Sequence, residues 1–182
     1  MKKASLFLAT LLSITTLFGA VVPVHAASTT VSIEVKETTM DNVSVTVPSS
    51  LPIVFNEDGT NTLPTNWTIE NKSTIAGIHL KQIDMDAGTS GWKLLSDVRD
   101  TKTMKADTKA IRFAVGKGSE LKTVAPTQGD ESSTGQVVFA ANDIAIASGE
   151  TQVLSFDVDR GAFTTSQAAS KAFDMVLTFN FN

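Results

Sequence analysis

Apolar and polar residues alternate one by one over many short stretches of the chain. Val31, Ile33 and Val35 share one parity, and polar residues occupy the positions between them. The same alternation, or a short apolar run, recurs at 43–47, 52–55, 66–71, 78–85, 92–95, 110–115, 120–124, 136–141, 151–158 and 172–182. Because side chains alternate between the two faces of a β-strand, each segment predicts a strand with an apolar and a polar face.

Turn-forming residues separate these segments. Glycine lies beside a small, polar or charged residue in most of the gaps, at 58–59, 76–77, 90–91, 116–118, 129–130 and 148–149. About ten short strands joined by turns predict an all-β fold, a single antiparallel β-sandwich of the jelly-roll or immunoglobulin-like type. No long stretch has apolar residues at helical spacing, so we expect little helix beyond the first residues.

Three segments carry more local expectations. In 78–85 the apolar parity changes after Leu80, which predicts a β-bulge near Lys81. The segment 164–172 is interpreted as a helical turn or a loop. The segment 139–147 fits either a short helix or two strand pieces separated by a central turn.

Residues 1–26 have the pattern of a secretory signal peptide. Two lysines precede an apolar segment over 4–18, and the small residues at 24 and 26 fit a cleavage site after Ala26. The apolar segment is shorter than the roughly 20 residues of a membrane-spanning helix. We therefore expect a secreted, extracellular protein with no membrane segment after signal cleavage, and one β-sandwich domain over 27–182.

The composition argues against several classes of function. The chain has 19 Asp and Glu against 15 Lys and Arg, an acidic balance that does not favour nucleic acid or anionic lipid as a partner. It has no cysteine, which excludes thiol catalysis and thiolate-bound metals. Without disulfides, an exported chain must be held together by core packing alone.

No catalytic motif stands out in the sequence. His79 is the single histidine after residue 26, and a serine-type triad would require it as the base. Its place between Ile78 and Leu80 on a predicted strand is more typical of an exposed polar-face residue. The sequence has no GxSxG elbow, HExxH helix or phosphate-binding glycine loop, so we expect no enzyme activity.

Two aspartate pairs each lie on one face of a predicted strand, Asp84 with Asp86 and Asp157 with Asp159. Paired carboxylates can act on glycosidic bonds or bind calcium. They are more typical of the solvated face of an amphipathic strand, with Lys81 and Arg160 nearby as counter-charges. We expect no cofactor, and calcium is the one cation for which these four aspartates are candidates.

Sugar-binding surfaces usually stack sugars on aromatic rings. Tyrosine is absent, and Trp67 and Trp92 are the only tryptophans. Trp67 alternates with Ile69 and Trp92 begins a strand before Leu94, which favours core positions for both. If either ring is exposed, these two residues are the candidates for binding a cell-wall or host glycan.

Two segments resemble a known family. The sequence NWTIENKSTIAGIHLKQIDMD, 66–86, combines an aromatic-led strand, a turn and a second strand, and MVLTFNF, 175–181, is a closing strand. Both resemble TasA and camelysin-type secreted proteins, the jelly-roll subunits of Gram-positive biofilm fibres. The resemblance implies an extracellular matrix or fibre subunit of a Gram-positive cell surface, with the N-terminal strand as the segment that could be donated.

The segment ASTTVSIEVKETT, 27–39, would follow directly after signal cleavage and has the β-branched residues of a strand. It can fold back into its own sheet or add to the open edge of a neighbour's sheet. Head-to-tail addition does not close on itself and therefore gives filaments.

The expected function is that of a non-enzymatic extracellular structural or surface protein that assembles with itself or with other cell-surface proteins. The first alternative is a binding module of a wall-associated complex, for a glycan or a protein partner. The second is a hydrolase that uses the aspartate pairs. Buried tryptophans would argue against stacking of a glycan, and aspartates that face bulk solvent would argue against the hydrolase.

Overall fold

β-Strands are the only regular elements in the part of the chain that the structure describes, which confirms the predicted all-β class. The structure is a computed structural model that describes residues 29–37, 44–56, 60–96, 104–161, 163–164 and 168–182. The predicted signal peptide, 1–26, and its cleavage site lie outside the described residues. Within the described ranges, no helix is long and apolar enough to cross a membrane.

The described residues form sixteen strands, five of which are only two residues long. In chain order they are β1 (Thr29–Glu37), β2 (Val45–Thr46), β3 (Ser50–Phe55), β4 (Asn61–Thr62), β5 (Thr68–Asn71), β6 (Ile78–Asp86), β7 (Lys93–Leu95), β8 (Ala110–Lys117), β9 (Glu120–Thr123), β10 (Ala125–Pro126), β11 (Glu131–Ser132), β12 (Thr134–Val138), β13 (Ala145–Ile146), β14 (Thr151–Val153), β15 (Ser155–Arg160) and β16 (Ser170–Phe181). The eleven longer strands all fall on segments that alternation or a short apolar run predicts.

Three sheets contribute to one apolar core. The largest has the order β10-β12-β6-β16-β1-β3-β4, with β13 beside β6. The second has the order β11-β7-β8-β15, with β9 beside β8, and the third is β14-β5-β2. Ile33, Phe113 and Ile69 come from the largest, second and third sheet, and all belong to the same buried cluster. This is the sandwich-like arrangement expected for strands that each have one apolar face.

Two strand pairs are parallel, which departs from the purely antiparallel sandwich that the sequence predicts. β1 runs parallel to β16, with Val31 opposite Ser170 and Glu37 opposite Leu177. β7 and β8 pair in the same sense over two residues each. Tight hairpins produce antiparallel neighbours, whereas these strands are joined by long connections that allow the parallel sense.

Strand register and strand bounds decide two of the local expectations, the bulge near Lys81 and the structure of 139–147. Lys81 is the extra residue of a bulge in β6, because Gln82 pairs with Thr178 while Leu80 pairs with Phe179. This confirms the bulge that the change of parity predicts. In 139–147 neither the short helix nor two strand pieces are found: β12 ends at Val138, a turn follows, and β13 is the single strand in the segment.

The helical turn expected over 164–172 is wrong at its end, because β16 already begins at Ser170. Residues 165–167 lie outside the described ranges. The pairing of β16 with β1 shifts at Ala172, between the pairs Ser32–Lys171 and Ile33–Phe173. Ala172 and Phe173 are therefore both buried, and this interrupts the alternation by which the strand could have been predicted.

The free side of β3 is poorly suited to pairing with another strand. Ser50, Pro52 and Val54 direct their backbone groups away from β1. Ser50 O accepts a hydrogen bond from Trp67 Nε1 at 3.0 Å, and Val54 pairs with Thr62 in β4. Pro52 has no N–H to donate, and proline is a common means of blocking a sheet edge.

Asn61 connects this side of the largest sheet to the second sheet. Its Nδ2 donates to Val158 O in β15 at 2.5 Å. Its Oδ1 accepts from Arg160 Nε at 3.2 Å. The Asn61 side chain therefore bonds to one backbone carbonyl and one arginine side chain of β15, and it links the two sheets at this corner of the sandwich.

Candidate functional site

β1 lies in the middle of the largest sheet. It pairs in parallel with β16 over 31–37 and antiparallel with β3 over 29–34. Within the described residues β16 and β3 do not pair with each other, so β1 fills a groove between them. The described part of the predicted donor segment, 27–39, therefore pairs within its own chain.

The inner face of β1 is part of the core. Val31, Ile33 and Val35 are 1%, 0% and 8% exposed, and Phe173 and Met175, opposite the last two, are fully buried. Complete burial of such an aliphatic side chain contributes roughly 1.5–3 kcal/mol. These three side chains therefore anchor β1 in the groove.

The outer face of β1 is fixed by an ion-pair network. Lys171 Nζ lies 2.6 Å from Glu34 Oε2 and 2.8 Å from Asp174 Oδ1. Hydrogen bonds with Asp174 and Glu34 raise the pKa of the Lys171 ammonium group. Exposed pairs of this kind contribute little to stability, so the network matters chiefly for the register of β1 against β16.

His79 lies at the start of β6, opposite Asn180 of β16. Its Nδ1 is 2.9 Å from Asn182 Oδ1, and Asn182 Nδ2 donates to Ile78 O at 3.1 Å. A catalytic triad would bring a serine hydroxyl and a carboxylate to the imidazole, and this contact brings an amide. The interaction joins the last residue of the chain to β6.

Asp84 and Asp86 share the outer face of β6, as their spacing predicts. Gln82 Nε2 donates to both oxygens of Asp84, at 2.9 and 2.7 Å, and Gln136 Nε2 donates to Oδ1 at 2.8 Å. Asp86 Oδ1 instead accepts from the backbone N–H of Gly88 at 2.8 Å. The two carboxylates therefore have separate hydrogen-bond partners on an open sheet face, which argues against a glycosidase site.

Asp157 and Asp159 share one face of β15, but their counter-charge is Arg112 in the neighbouring strand β8. Arg112 Nε lies 2.5 Å from Asp159 Oδ2, and its NH2 group contacts Asp157. Burial opposes the charge on Arg112, but hydrogen bonds with Asp159 and Asp157 outweigh it and raise the pKa of the guanidinium. The expectation of Arg160 as the counter-charge is wrong, because Arg160 belongs to the inner face and lies over the rings of Phe55 and Phe163.

Neither aspartate pair assembles a calcium site. Among the described residues, no three histidine, aspartate or glutamate side chains are placed so that they could hold one metal ion. Calcium requires six or more oxygen ligands, whereas the carboxylates of both pairs already accept hydrogen bonds from protein groups. The geometry therefore gives no support to these four residues as calcium ligands.

Both tryptophans are buried, each with 3% of its surface exposed. Trp67 packs edge-on against Phe156, and Trp92 lies among Phe55, Phe163 and Phe173. This agrees with the core positions that alternation favours. It excludes Trp67 and Trp92 as platforms for a stacked sugar, because neither ring face is open to solvent.

Asn71 is a structural residue that sequence reasoning did not identify. It is fully buried, and its Nδ2 donates to Ala76 O, Ile146 O and Ala147 O at 2.9, 3.3 and 3.1 Å. Its Oδ1 accepts from Ser73 N at 3.0 Å. The sequence did indicate an inner position for Asn71, because it has the same parity as Ile69, the other buried residue of β5.

Comparison with known proteins finds no family model that matches the chain and no significant match among curated proteins. The chemistry of the described residues and the position of β1 therefore carry the functional argument.

Proposed function

We propose that the protein is a non-enzymatic, extracellular structural or surface protein whose copies assemble by exchange of β1. In this proposal the β1 segment of one copy occupies the groove between β16 and β3 of the next copy. The observation that carries it is that β1 fills a groove between β16 and β3, which are not paired with each other in the described part of the chain. The proposed localisation rests on the signal-peptide pattern of 1–26.

Exchange keeps the contacts that β1 makes within its own chain. Val31, Ile33 and Val35 would enter the same pockets of a second copy, and Glu34 would meet the same Lys171. Because the contacts are equivalent, exchange of an identical element is a low-cost route to association. A head-to-tail series of such exchanges does not close on itself and extends into a filament.

A reversible disulfide between β1 and β3 tests the exchange. Pro52 lies opposite Ser32 and has no N–H, so Ser32–Pro52 is a non-hydrogen-bonded pair. Because the two kinds of pair alternate along an antiparallel ladder, Glu34–Ser50, two positions further on, is of the same kind. Such pairs have Cα atoms about 4.5 Å apart, within the range that a disulfide spans. The chain has no cysteine that could compete, so Glu34→Cys with Ser50→Cys gives a single defined bond.

We expect the reduced double variant to form filaments in negative-stain microscopy and the oxidised form to remain monomeric. The two forms share every substitution, including the loss of Glu34 from the ion pair, so the reduced form is the matched control. Filaments in both forms would show assembly without exchange of β1. Monomers in both forms, and in the unaltered protein, would contradict the proposal.

A further inference from the structure

A cleft opens at the side of the sandwich between β9 and the segment 139–144. Its volume is about 270 Å³, and its lining is Glu120, Leu121, Lys122, Phe139, Asp143 and Ile144. Phe139 and Ile144 are buried core residues, so the floor of the cleft is apolar. The charged residues lie at its mouth. The cleft is separate from β1 and from all the candidate residues that the sequence predicts.

An ammonium group already sits in this cleft. Lys122 Nζ lies 2.5 Å from Asp143 Oδ2 and 5.5 Å from the centre of the Phe139 ring. A carboxylate beside an aromatic face is a favourable environment for a cation. The backbone N–H of Ala140 donates to the same Asp143 oxygen at 2.7 Å and holds the carboxylate in position.

We propose that this cleft is a binding site for a primary ammonium group on a short apolar stem, and that Lys122 is its internal occupant. The ligand stem would pack on Phe139 and Ile144. Its ammonium group would take the place of Lys122 Nζ between Asp143 and the Phe139 ring. Lys122, whose side chain is 45% exposed, can then move to solvent at little cost.

Charge and size both favour this class of ligand. Two carboxylates, those of Glu120 and Asp143, stand at the mouth against the single ammonium of Lys122, so a cationic head is preferred to an anionic one. The hydrogen bond from Lys122, and then that from Ala140, lower the pKa of Asp143, which keeps it ionised at neutral pH. An apolar cavity of about 150 Å³ can hold benzene, so the cleft has room for an alkyl stem of about six carbons.

Titration of the mature protein with three probes of equal stem length tests the site. Amide shifts in a nitrogen–proton correlation spectrum are followed as n-hexylammonium, hexanoate or 1-hexanol is added. We expect hexylammonium to shift the amides of 120–122 and 139–144, with weaker shifts from hexanol and the weakest from hexanoate. Equal responses to all three probes, or a preference for hexanoate, would overturn the proposal.

The variant Lys122→Ala removes the internal occupant and provides the sharper test. We expect it to bind hexylammonium about fivefold to tenfold more tightly than the unaltered protein, since an exposed ion pair and a cation–π contact no longer compete. Lys72→Ala, which removes an exposed lysine that does not line the cleft, should leave the affinity unchanged. Lys122→Ala combined with Asp143→Asn should lose the gain.

These variants also separate a ligand site from an ordinary surface ion pair. Asp143 and Lys122 are both on the surface, so all the variants should keep the dispersed spectrum of the folded protein. If Lys122→Ala binds no more tightly than Lys72→Ala, Lys122 is not a competing occupant and the inference fails. The outcome is independent of β1 exchange, because the cleft contains no residue of β1, β3 or β16.

Discussion

Asn71 shows how one buried amide can hold two connections of the fold together. Its side chain joins the connection between β5 and β6 to the end of β13 and the connection that follows it. The two amide N–H groups are shared among three carbonyl oxygens, and the amide oxygen accepts one hydrogen bond. An amide can donate and accept at the same time, and no charge needs to be buried. A carboxylate of the same shape lacks the donors and adds a charge.

We expect Asn71→Asp to be strongly destabilising, by about 3–5 kcal/mol at neutral pH, because it places an unpaired charge among carbonyl oxygens. Burial would raise the pKa of the new carboxyl group above its usual value. The loss relative to the unaltered protein should therefore shrink as pH falls through that raised pKa, where the group becomes neutral and can donate. Urea unfolding at several pH values measures this difference.

Asn66→Asp is the matched control, because Asn66 is exposed just before β5. It should change the free energy of unfolding by only a few tenths of a kcal/mol. An Asn71→Asp variant that unfolds like Asn66→Asp at neutral pH would show that the buried amide is not needed to hold the two connections.

The two tryptophans differ in one hydrogen bond although both are buried to the same extent. Trp67 Nε1 donates to Ser50 O, whereas Trp92 Nε1 is buried and has no hydrogen-bond partner among the residues that the structure describes. Replacing Trp67 by phenylalanine removes this hydrogen bond, a net loss of about 0.5–1.5 kcal/mol. Replacing Trp92 by phenylalanine removes an unsatisfied donor and offsets part of the lost packing.

We therefore expect Trp67→Phe to lower the free energy of unfolding more than Trp92→Phe. Chemical unfolding followed by circular dichroism of both variants checks the order. Each variant retains one tryptophan, so fluorescence gives a second reading. The reverse order would mean that packing of the larger aromatic cluster around Trp92 outweighs the hydrogen bond of Trp67.

The strand β3 illustrates how this fold limits unwanted pairing. Its free side presents one carbonyl already bound by Trp67, one proline without an N–H, and one residue covered by β4. The groove for β1 is consequently a more suitable place for a second chain than the edge itself. Assembly through exchange of β1 then requires that the free side of β3 does not pair with a strand of another copy.

We expect Pro52→Thr to increase association that does not depend on β1. The substitution restores a backbone donor on the outer side of β3 and a residue with high strand propensity. Light scattering at increasing protein concentration should show dimers or larger species. The effect should persist in the oxidised Glu34→Cys, Ser50→Cys background, and a variant that stays monomeric in that background would show that Pro52 does not protect the edge.

At the scale of the whole molecule, alternation predicts which face of each strand is buried but not which strands are neighbours. It correctly indicates the core positions of Ile33, Trp67 and Trp92 and the bulge at Lys81. It cannot predict that β1 lies between β16 and β3, because a side-chain pattern contains no information on partners distant in sequence.

The partners of the ion pairs could not be predicted from alternation either. The contact of Arg112 with Asp157 and Asp159 depends on the register of β8 against β15, in which Arg112 lies opposite Asp159. The cleft beside Lys122 depends on an approach of β9 to the segment 139–144, which no local pattern specifies. By contrast, the inner positions of Asn71 and Arg160 were predictable from parity alone.

The parallel arrangement of β1 and β16 has a mechanical consequence. Thr29, at the start of β1, and Phe181, at the end of β16, lie at opposite ends of adjacent strands that run in the same direction. A pulling force applied through these two points would load the hydrogen bonds between the strands together, in shear, instead of opening them one after another. Such a geometry resists extension, and it would do so equally in a series of copies linked by exchanged strands.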